Sequence, residues 1–138
     1  MVKLIIGVKG SGKTKSLIDQ VNKAVESSKG SVVCVEKGIK LRYDVNCHCR
    51  LINVDEYFVY GAHKFFGFIA GLIASNHDIS DLFIDSALKI CENDIDKFES
   101  FLNNVDELTD KLGTNVVITA SMPVEKATEG LKRFLPKD

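Results

Sequence analysis

The chain has 138 residues, of which 45% are hydrophobic and 27% are charged, and its formal net charge is −1. This composition is typical of a globular protein with a single core, and it excludes a chain that attracts nucleic acid or anionic lipid through its overall charge. The length favours one domain over residues 1–138. The longest apolar run, residues 65–74, is too short to span a bilayer, and the chain opens on a predicted core strand. We therefore expect a cytoplasmic protein without a signal peptide and without membrane association.

The N-terminal segment combines a predicted strand, a glycine-rich loop and a predicted helix. Residues 2–6 form a short apolar run typical of a buried strand, and residues 13–28 have apolar positions at helical spacing. The intervening residues match the Walker A pattern G-x-x-x-x-G-K-[ST] at every fixed position: Gly7, Val8, Lys9, Gly10, Ser11, Gly12, Lys13 and Thr14. This motif between a strand and a helix predicts a loop that binds nucleotide phosphates.

The residue types of this loop suit phosphate chemistry. Gly7, Gly10 and Gly12 allow positive φ and a close approach of the backbone, so that N–H groups can point at phosphate oxygens. The helix that begins near Lys13 adds the positive end of its dipole. Lys13 supplies a full charge for the β- and γ-phosphates, and the Thr14 hydroxyl is a suitable oxygen ligand for Mg²⁺. The loop thus predicts a nucleotide bound together with Mg²⁺.

The rest of the chain alternates predicted strands and helices. Strands are predicted at 32–35, 51–54, 81–85 and 116–120, and helices at 62–76, from 93 or 94 to 112, and after Pro123. Short continuous apolar strands between helices indicate a mainly parallel sheet of about five strands, covered on both faces in a three-layer α/β/α fold. In such a sheet, ligands bind beyond the carboxyl ends of the strands, which is where the Walker A loop lies.

The predicted helices carry expectations about burial. The helix at 62–76 is apolar nearly all round, so we expect it to be deeply packed, with a partner surface as the less favoured alternative. The long helix should end at Gly113 and bury Ile95, Phe98, Leu102, Val105, Leu108 and Leu112. The terminal helix should begin at Pro123 and bury Val124, Ala127, Leu131 and Phe134.

The strand at residues 82–84 has the form of a Walker B strand, because three apolar residues end in the carboxylate of Asp85. That carboxylate is predicted to bind Mg²⁺ through water, beside Thr14. Many ATP hydrolases carry a glutamate directly after this aspartate, but here Ser86 follows, so a general base must come from elsewhere. Glu36, at the end of the second strand, is the best candidate, and Glu56, after the third strand, is the runner-up.

The sequence Cys47-His48-Cys49 raises the question of zinc. Structural zinc sites pair C-x₂-C elements, whereas here the other two cysteines, Cys34 and Cys91, are far away in the sequence. The favoured interpretation is therefore a loop with incidental thiols, which a reducing compartment keeps free.

The order of these features resembles the ATPase core of RecA-like proteins in the P-loop NTPase superfamily. The resemblance covers most of the chain: the Walker A loop, a strand that ends in a catalytic glutamate, a Walker B strand in the Asp-Ser form, and a last strand. It implies ATP as the nucleotide, and it places the catalytic glutamate at Glu36 and the γ-phosphate sensor at Thr119 or Ser121. The chain also resembles small stand-alone bacterial ATP-binding proteins loosely labelled twitching-motility ATPases.

The favoured hypothesis is a MgATP-binding protein with weak hydrolysis that acts as a nucleotide-dependent switch or as a subunit of an assembly with an unknown protein partner. Lys13, Thr14 and Asp85 would hold MgATP, and Glu36 would polarise the attacking water. No basic patch with aromatic residues indicates nucleic acid as a partner.

Two alternatives stay open. A small nucleoside or nucleotide kinase would need an arginine-rich lid, and the only arginines are the scattered Arg42, Arg50 and Arg133. A non-hydrolysing ATP-binding module is compatible with the absence of a glutamate after Asp85.

Overall fold

The computed structural model describes residues 1–137 and contains five strands and five α-helices. The strands are β1 (Val2–Gly7), β2 (Ser31–Glu36), β3 (Arg50–Asn53), β4 (Ile79–Ile84) and β5 (Asn115–Ser121). The helices are α1 (Lys13–Ser27), α2 (Ala62–Ser75), α3 (Ala87–Ile90), α4 (Ile95–Leu112) and α5 (Glu129–Lys132). Short 3₁₀ turns cover Val54–Tyr57 and Val124–Lys126.

The strands form one parallel sheet in the order β1-β5-β4-β2-β3, which confirms the predicted α/β class. The strand that leads into the Walker A loop, β1, is not adjacent to β4, the predicted Walker B strand, because β5 lies between them. In a parallel sheet all carboxyl ends lie at one edge, so residues that follow different strands meet there. This edge collects the polar side chains of the candidate site.

The register of the sheet aligns three buried polar residues at that edge. Ile84 pairs with Val35 of β2 and with Ile118 of β5. The residues that follow these partners, Asp85, Glu36 and Thr119, therefore lie at the same level. Their exposed fractions are 6%, 3% and 1%, respectively. Because buried polar groups need hydrogen-bond partners, each of these three side chains must be held by a partner at this edge.

Each face of the sheet is covered by helices, as the three-layer prediction requires. On one face, Leu17 and Val21 of α1 pack with Cys34 and Phe83. On the other face lies the larger core that includes α2 and α4, where the rings of Phe65 and Phe101 stack with centroids 4.5 Å apart. Phe101 is buried in α4 although it was not predicted there, and the prediction that Leu112 is buried is wrong, because Leu112 is 55% exposed.

The helix α2 is buried along one side only. Its buried residues recur at helical spacing: Ala62, Phe65, Ile69 and Ile73. The opposite side contains Gly67 and Gly71, which are exposed. The expectation of deep packing is thus correct for the inner side, and the apolar residues Phe66, Phe68 and Leu72 between the two sides are partly buried against the core.

The segment after Pro123 is not the single helix that its apolar spacing predicts. It forms a 3₁₀ turn and then α5, which Thr128 caps by accepting a hydrogen bond from the backbone N–H of Leu131. Thr128 has an extended backbone, which interrupts a continuous helix. Of the four residues predicted to be buried, Ala127, Leu131 and Phe134 are buried, whereas Val124 is 57% exposed. The segment also covers the free edge of β1, since the carbonyl of Phe134 accepts a hydrogen bond from Leu4 N–H at 2.8 Å.

Within residues 1–137, no helix has both the length and the apolar character needed to cross a membrane.

Candidate nucleotide-binding site

The Walker A loop runs from the end of β1 to the start of α1, as predicted. Gly10 and Gly12 have φ values of 86° and 89°, a conformation that favours glycine. Gly7 does not share this conformation, which corrects the expectation that all three glycines serve positive φ. A Cβ at Gly7 would instead lie 2.5 Å from the Ser11 hydroxyl oxygen. Gly7 therefore allows the Ser11 side chain to pack closely against it, whereas Gly10 and Gly12 suit the backbone path of the loop.

Lys13 is the first residue of α1, and its side chain lies back over the loop. Its ammonium donates a hydrogen bond to the carbonyl of Val8 at 2.8 Å and lies 3.4 Å from the hydroxyl of Ser11. The N-cap residue, Gly12, makes no side-chain cap, so the first N–H groups of α1 have no side-chain acceptor there. A helix N-terminus of this kind, beside a lysine and a glycine-rich loop, provides N–H donors and positive charge for phosphate oxygens.

Asp85 lies opposite the start of α1. Its Oδ1 accepts hydrogen bonds from the hydroxyl of Thr14 at 3.4 Å and from that of Thr119 at 2.7 Å. The hydroxyl of Thr119 accepts a bond from the backbone N–H of Ser86, while the hydroxyl of Ser86 donates to Asp85 Oδ2 at 3.3 Å. This network fixes the carboxylate within reach of Thr14. The predicted pair of oxygen ligands, Thr14 and Asp85, is therefore brought together.

A cavity of about 590 Å³ joins the loop to the carboxyl end of β4, where Asp85 and Ser86 line it. Its polar lining includes Thr14, Asp85, Thr119 and Ser121, so both sensor candidates reach it. Five lysines also line it: Lys9, Lys13, Lys15, Lys40 and Lys89. The only carboxylate among the lining residues is that of Asp85. This excess of positive charge favours a polyanionic ligand such as a nucleoside triphosphate.

Glu36 lies beside this cavity but does not line it. It lines a neighbouring cavity of about 320 Å³, together with Glu56, the runner-up for the general base. Glu36 Oε1 accepts hydrogen bonds from the backbone N–H groups of Lys40 at 2.9 Å and Leu41 at 3.2 Å. Burial raises the pKa of Glu36, and these two N–H donors partly oppose the increase. Glu56 is exposed. Neither side chain is placed directly against the Walker A loop.

The arginines do not contribute to the lysine-lined cavity. The Arg42 guanidinium lies 4.8 Å from the ring centroid of Tyr43, and that of Arg133 lies 3.9 Å from that of Phe134. Arg50 lines two other cavities, one of them the cavity of Glu36. No lid of the kind that a kinase uses is formed by these side chains as they are placed here.

The Cys47-His48-Cys49 segment does not form a metal centre in the described part of the chain. No group of three or more His, Cys, Asp or Glu side chains in residues 1–137 is arranged to hold a metal ion. Cys47 is exposed and Cys49 is buried. All four cysteines are free thiols.

Three lysines of the cavity were not predicted from the sequence: Lys15, Lys40 and Lys89. Lys15 directly follows Thr14 in α1, whereas Lys40 and Lys89 each follow the carboxyl end of a central strand, β2 and β4 respectively, by a few residues. This position could have identified them as candidates, because loops after parallel strands surround the ligand. Lysines are so common on surfaces, however, that position alone does not single them out.

Comparison with known proteins defines the fold. No protein-family model and no curated protein matches the sequence. Among solved structures 214 chains match, including a KaiC-like protein from the hyperthermophilic archaeon Pyrococcus horikoshii, with a TM-score of 0.68 and 19% sequence identity. The match covers 96% of this chain but 66% of the other, so this chain spans just under two thirds of that protein's length. The chain therefore has the RecA-like α/β fold, with a five-stranded parallel sheet between helices.

Proposed function

We propose that the chain binds MgATP and hydrolyses it slowly, as a nucleotide-dependent switch or a subunit of a larger assembly. The observation that carries the proposal is that the Walker A loop and the Thr14–Asp85 pair line one lysine-rich cavity. A fold alone does not define an activity, whereas this arrangement of side chains suits MgATP. A match to a KaiC-like protein is compatible with ATP as the nucleotide, but GTP enters the test as a competitor.

The residues of the site suit Mg²⁺ and phosphate. A threonine hydroxyl and a carboxylate are the hard oxygen donors that Mg²⁺ prefers, and they would hold it directly or through water. When bound, Mg²⁺ neutralises charge on the β- and γ-phosphates. Lys13 and the N–H groups of the loop would bind phosphate oxygens. The hydroxyl of Thr119 holds Asp85 in position at 2.7 Å, and Ser121 lies beside it at the cavity wall.

Slow hydrolysis follows from the shortage of a base. Asp85 is the only carboxylate that lines the cavity, and the network around it is suited to metal binding. In this proposal Glu36 activates the attacking water. Its Oε1 is already occupied by two backbone N–H groups, so it would act through its other oxygen. A base that is not aligned with the water in the resting state gives slow turnover until a partner or a conformational change completes the site.

The first test combines nucleotide binding with phosphate release. Purified protein should bind a fluorescent MgATP analogue, ATP should compete better than GTP, and slow release of phosphate should be measurable. Lys13→Ala should lose both binding and release. Lys29→Ala, a surface lysine that does not line the cavity, is the matched control and should retain both.

Each alternative gives a different result in the same experiment. Binding without release of phosphate would replace the proposal with an ATP-binding module. Transfer of phosphate to an added nucleoside or nucleotide would identify a kinase. A wild-type protein that binds no nucleotide at millimolar concentrations would contradict all three.

A further inference from the structure

The loop after β2 is fixed at several points, although it lies at the surface. The backbone N–H of Gly38, which has a φ of 101°, donates to Asn53 Oδ1 at 2.8 Å. The side chain of Leu41 is 1% exposed and is part of the core beneath α1. Between these anchors, Lys40 is exposed and lines the cavity of the Walker A loop. The root of the Lys40 side chain is therefore held in place while its ammonium is free to move.

The central anchor of the loop is Glu36. This carboxylate is 3% exposed, and its Oε1 accepts the N–H groups of both Lys40 and Leu41. Burying a carboxylate costs free energy, and burial accordingly raises the pKa of Glu36. Two backbone donors on one oxygen offset part of this cost. Such a buried carboxylate fixes the direction in which the loop leaves the strand.

The position of Lys40 relative to Asp85 indicates which part of a nucleotide it would meet. Val35 pairs with Ile84, and the backbone N–H of Asp85 donates to the carbonyl of Val35 at 2.9 Å, so the ends of β2 and β4 lie side by side. Asp85 and Thr14 mark the expected metal position between the β- and γ-phosphates. A lysine that enters the cavity from the β2 side therefore approaches the terminal phosphate.

The neighbouring lysine of the same loop behaves differently. Lys37 Nζ lies 2.6 Å from Asp55 Oδ1, and Lys37 does not line the cavity. Lys40 is in no salt bridge among residues 1–137. Its charge is the smallest of the effects on the pKa of Glu36, which burial raises overall. One loop thus contains a lysine paired for structure and a lysine left available to a ligand.

We propose that Lys40 binds the terminal phosphate of the nucleotide and that Glu36 is the positioning residue that holds the Lys40 loop against the cavity. The inference rests on the proposed nucleotide binding and adds a residue that distinguishes a triphosphate from a diphosphate. It supplies from within the chain a cation that the scattered arginines do not provide. It is independent of whether Glu36 also activates water, because it concerns binding and not turnover.

The test compares the affinities of a non-hydrolysable ATP analogue and of ADP, both with Mg²⁺, by calorimetry or fluorescence. Lys40→Gln should weaken the analogue about tenfold and ADP less than about twofold, because a charge-assisted contact to the terminal phosphate is lost. Lys37→Gln is the control in the same loop and should keep the wild-type ratio of the two affinities. A wild-type ratio in Lys40→Gln would overturn the inference.

Variants of Glu36 test the positioning role. Glu36→Gln retains an oxygen that can accept the two N–H groups, so it should keep the ratio of affinities. Glu36→Ala removes that acceptor and should reduce the ratio as Lys40→Gln does, and the double variant should lose little more, since two changes in one interaction are not additive. A wild-type ratio in a folded Glu36→Ala protein would contradict the positioning role.

The failure of this inference can be told apart from the failure of the proposed function. If the wild-type protein binds neither nucleotide, both are wrong. If it binds and Lys13→Ala does not, while Lys40→Gln retains the wild-type ratio, nucleotide binding stands and only the role of Lys40 is rejected. If Glu36→Ala does not fold, Lys40→Gln with its Lys37→Gln control still decides the matter.

Discussion

The hydroxyl of Thr14 lies 3.4 Å from Oδ1 of Asp85, although 71 positions separate the two residues in the sequence. Thr14 is at the start of α1, and Asp85 directly follows β4. In the sheet, β5 lies between β4 and β1, the strand that leads to α1. Thr119 of β5 donates a hydrogen bond to Asp85 from that side. The intervening strand therefore sets the distance between the Walker A loop and the carboxylate.

The first prediction concerns this carboxylate. Asp85→Asn keeps the size of the side chain and an oxygen for Thr119, but it removes the charge that would favour Mg²⁺. We expect the affinity for ATP in the presence of Mg²⁺ to fall about tenfold or more, while the affinity in EDTA changes little. Titration of the nucleotide with and without Mg²⁺ measures the difference. Equal losses under both conditions would show that Asp85 acts through structure and not through the metal.

The second prediction concerns Glu36 as the base. If Glu36 activates water, Glu36→Gln should lower the rate of phosphate release about 100-fold or more without weakening the binding of a non-hydrolysable analogue. Glu56→Gln is the matched control, because Glu56 lines the same neighbouring cavity and is exposed. Loss of release in Glu56→Gln, with normal release in Glu36→Gln, would transfer the role to Glu56.

The same substitution has a predicted effect on stability. The pKa of Glu36 is raised in the folded state above its ordinary value of 4.5, mainly by burial. A raised pKa means that the folded protein is favoured below the unfolded pKa and loses this advantage as the pH rises through the folded pKa. Wild-type protein should therefore lose stability relative to Glu36→Gln as the pH rises above about 4.5. Urea unfolding of both proteins at several pH values measures this, and a constant difference would contradict it.

Much of this architecture follows from sequence pattern because its causes are local. The Walker A loop, the apolar strands and the Asp94 cap and Gly113 end of α4 each depend on a few consecutive residues. The order of the strands does not, since any short apolar strand could pair with several others. The Lys40 contribution was missed for a related reason: it depends on where the buried carboxylate of Glu36 directs a loop, which becomes visible only in three dimensions.

The fourth prediction concerns the thiols. Burial raises the pKa of Cys49 to about 11 and that of Cys91 to about 12, and it raises that of Cys34 well above its ordinary value. Because the thiolate is the reactive form, these three should be inert in the native protein at pH 8. Cys47 is exposed and should react quickly with a disulfide reagent. Native protein should thus release one equivalent of chromophore rapidly, and denatured protein should release four. Cys47→Ser should abolish the fast phase, and a remaining fast equivalent would indicate opening of the sheet edge at Cys49.

The last prediction contrasts two glycines. A Cβ at Gly30 would collide with the backbone carbonyl of Asp78 and lie 2.8 Å from the Cβ of Ser80, where the starts of β2 and β4 meet. Because backbone cannot rotate away as a side chain can, Gly30→Ala should destabilise the protein by about 1–3 kcal/mol. Gly67, in α2, has nothing within 4 Å of the same position. Gly67→Ala should therefore stabilise by about 0.5–1 kcal/mol through helix propensity.

Chemical denaturation of both glycine variants, with nucleotide affinity measured in parallel, tests the contrast. Neither glycine lines the cavity of the Walker A loop, so affinity should stay at the wild-type value in both. A neutral Gly30→Ala would mean that the amino ends of β2 and β4 can separate without cost. In that case Asp85 and Glu36, at the carboxyl ends of the same two strands, would depend for their alignment on the remainder of the pairing from Val32–Asp81 to Val35–Ile84.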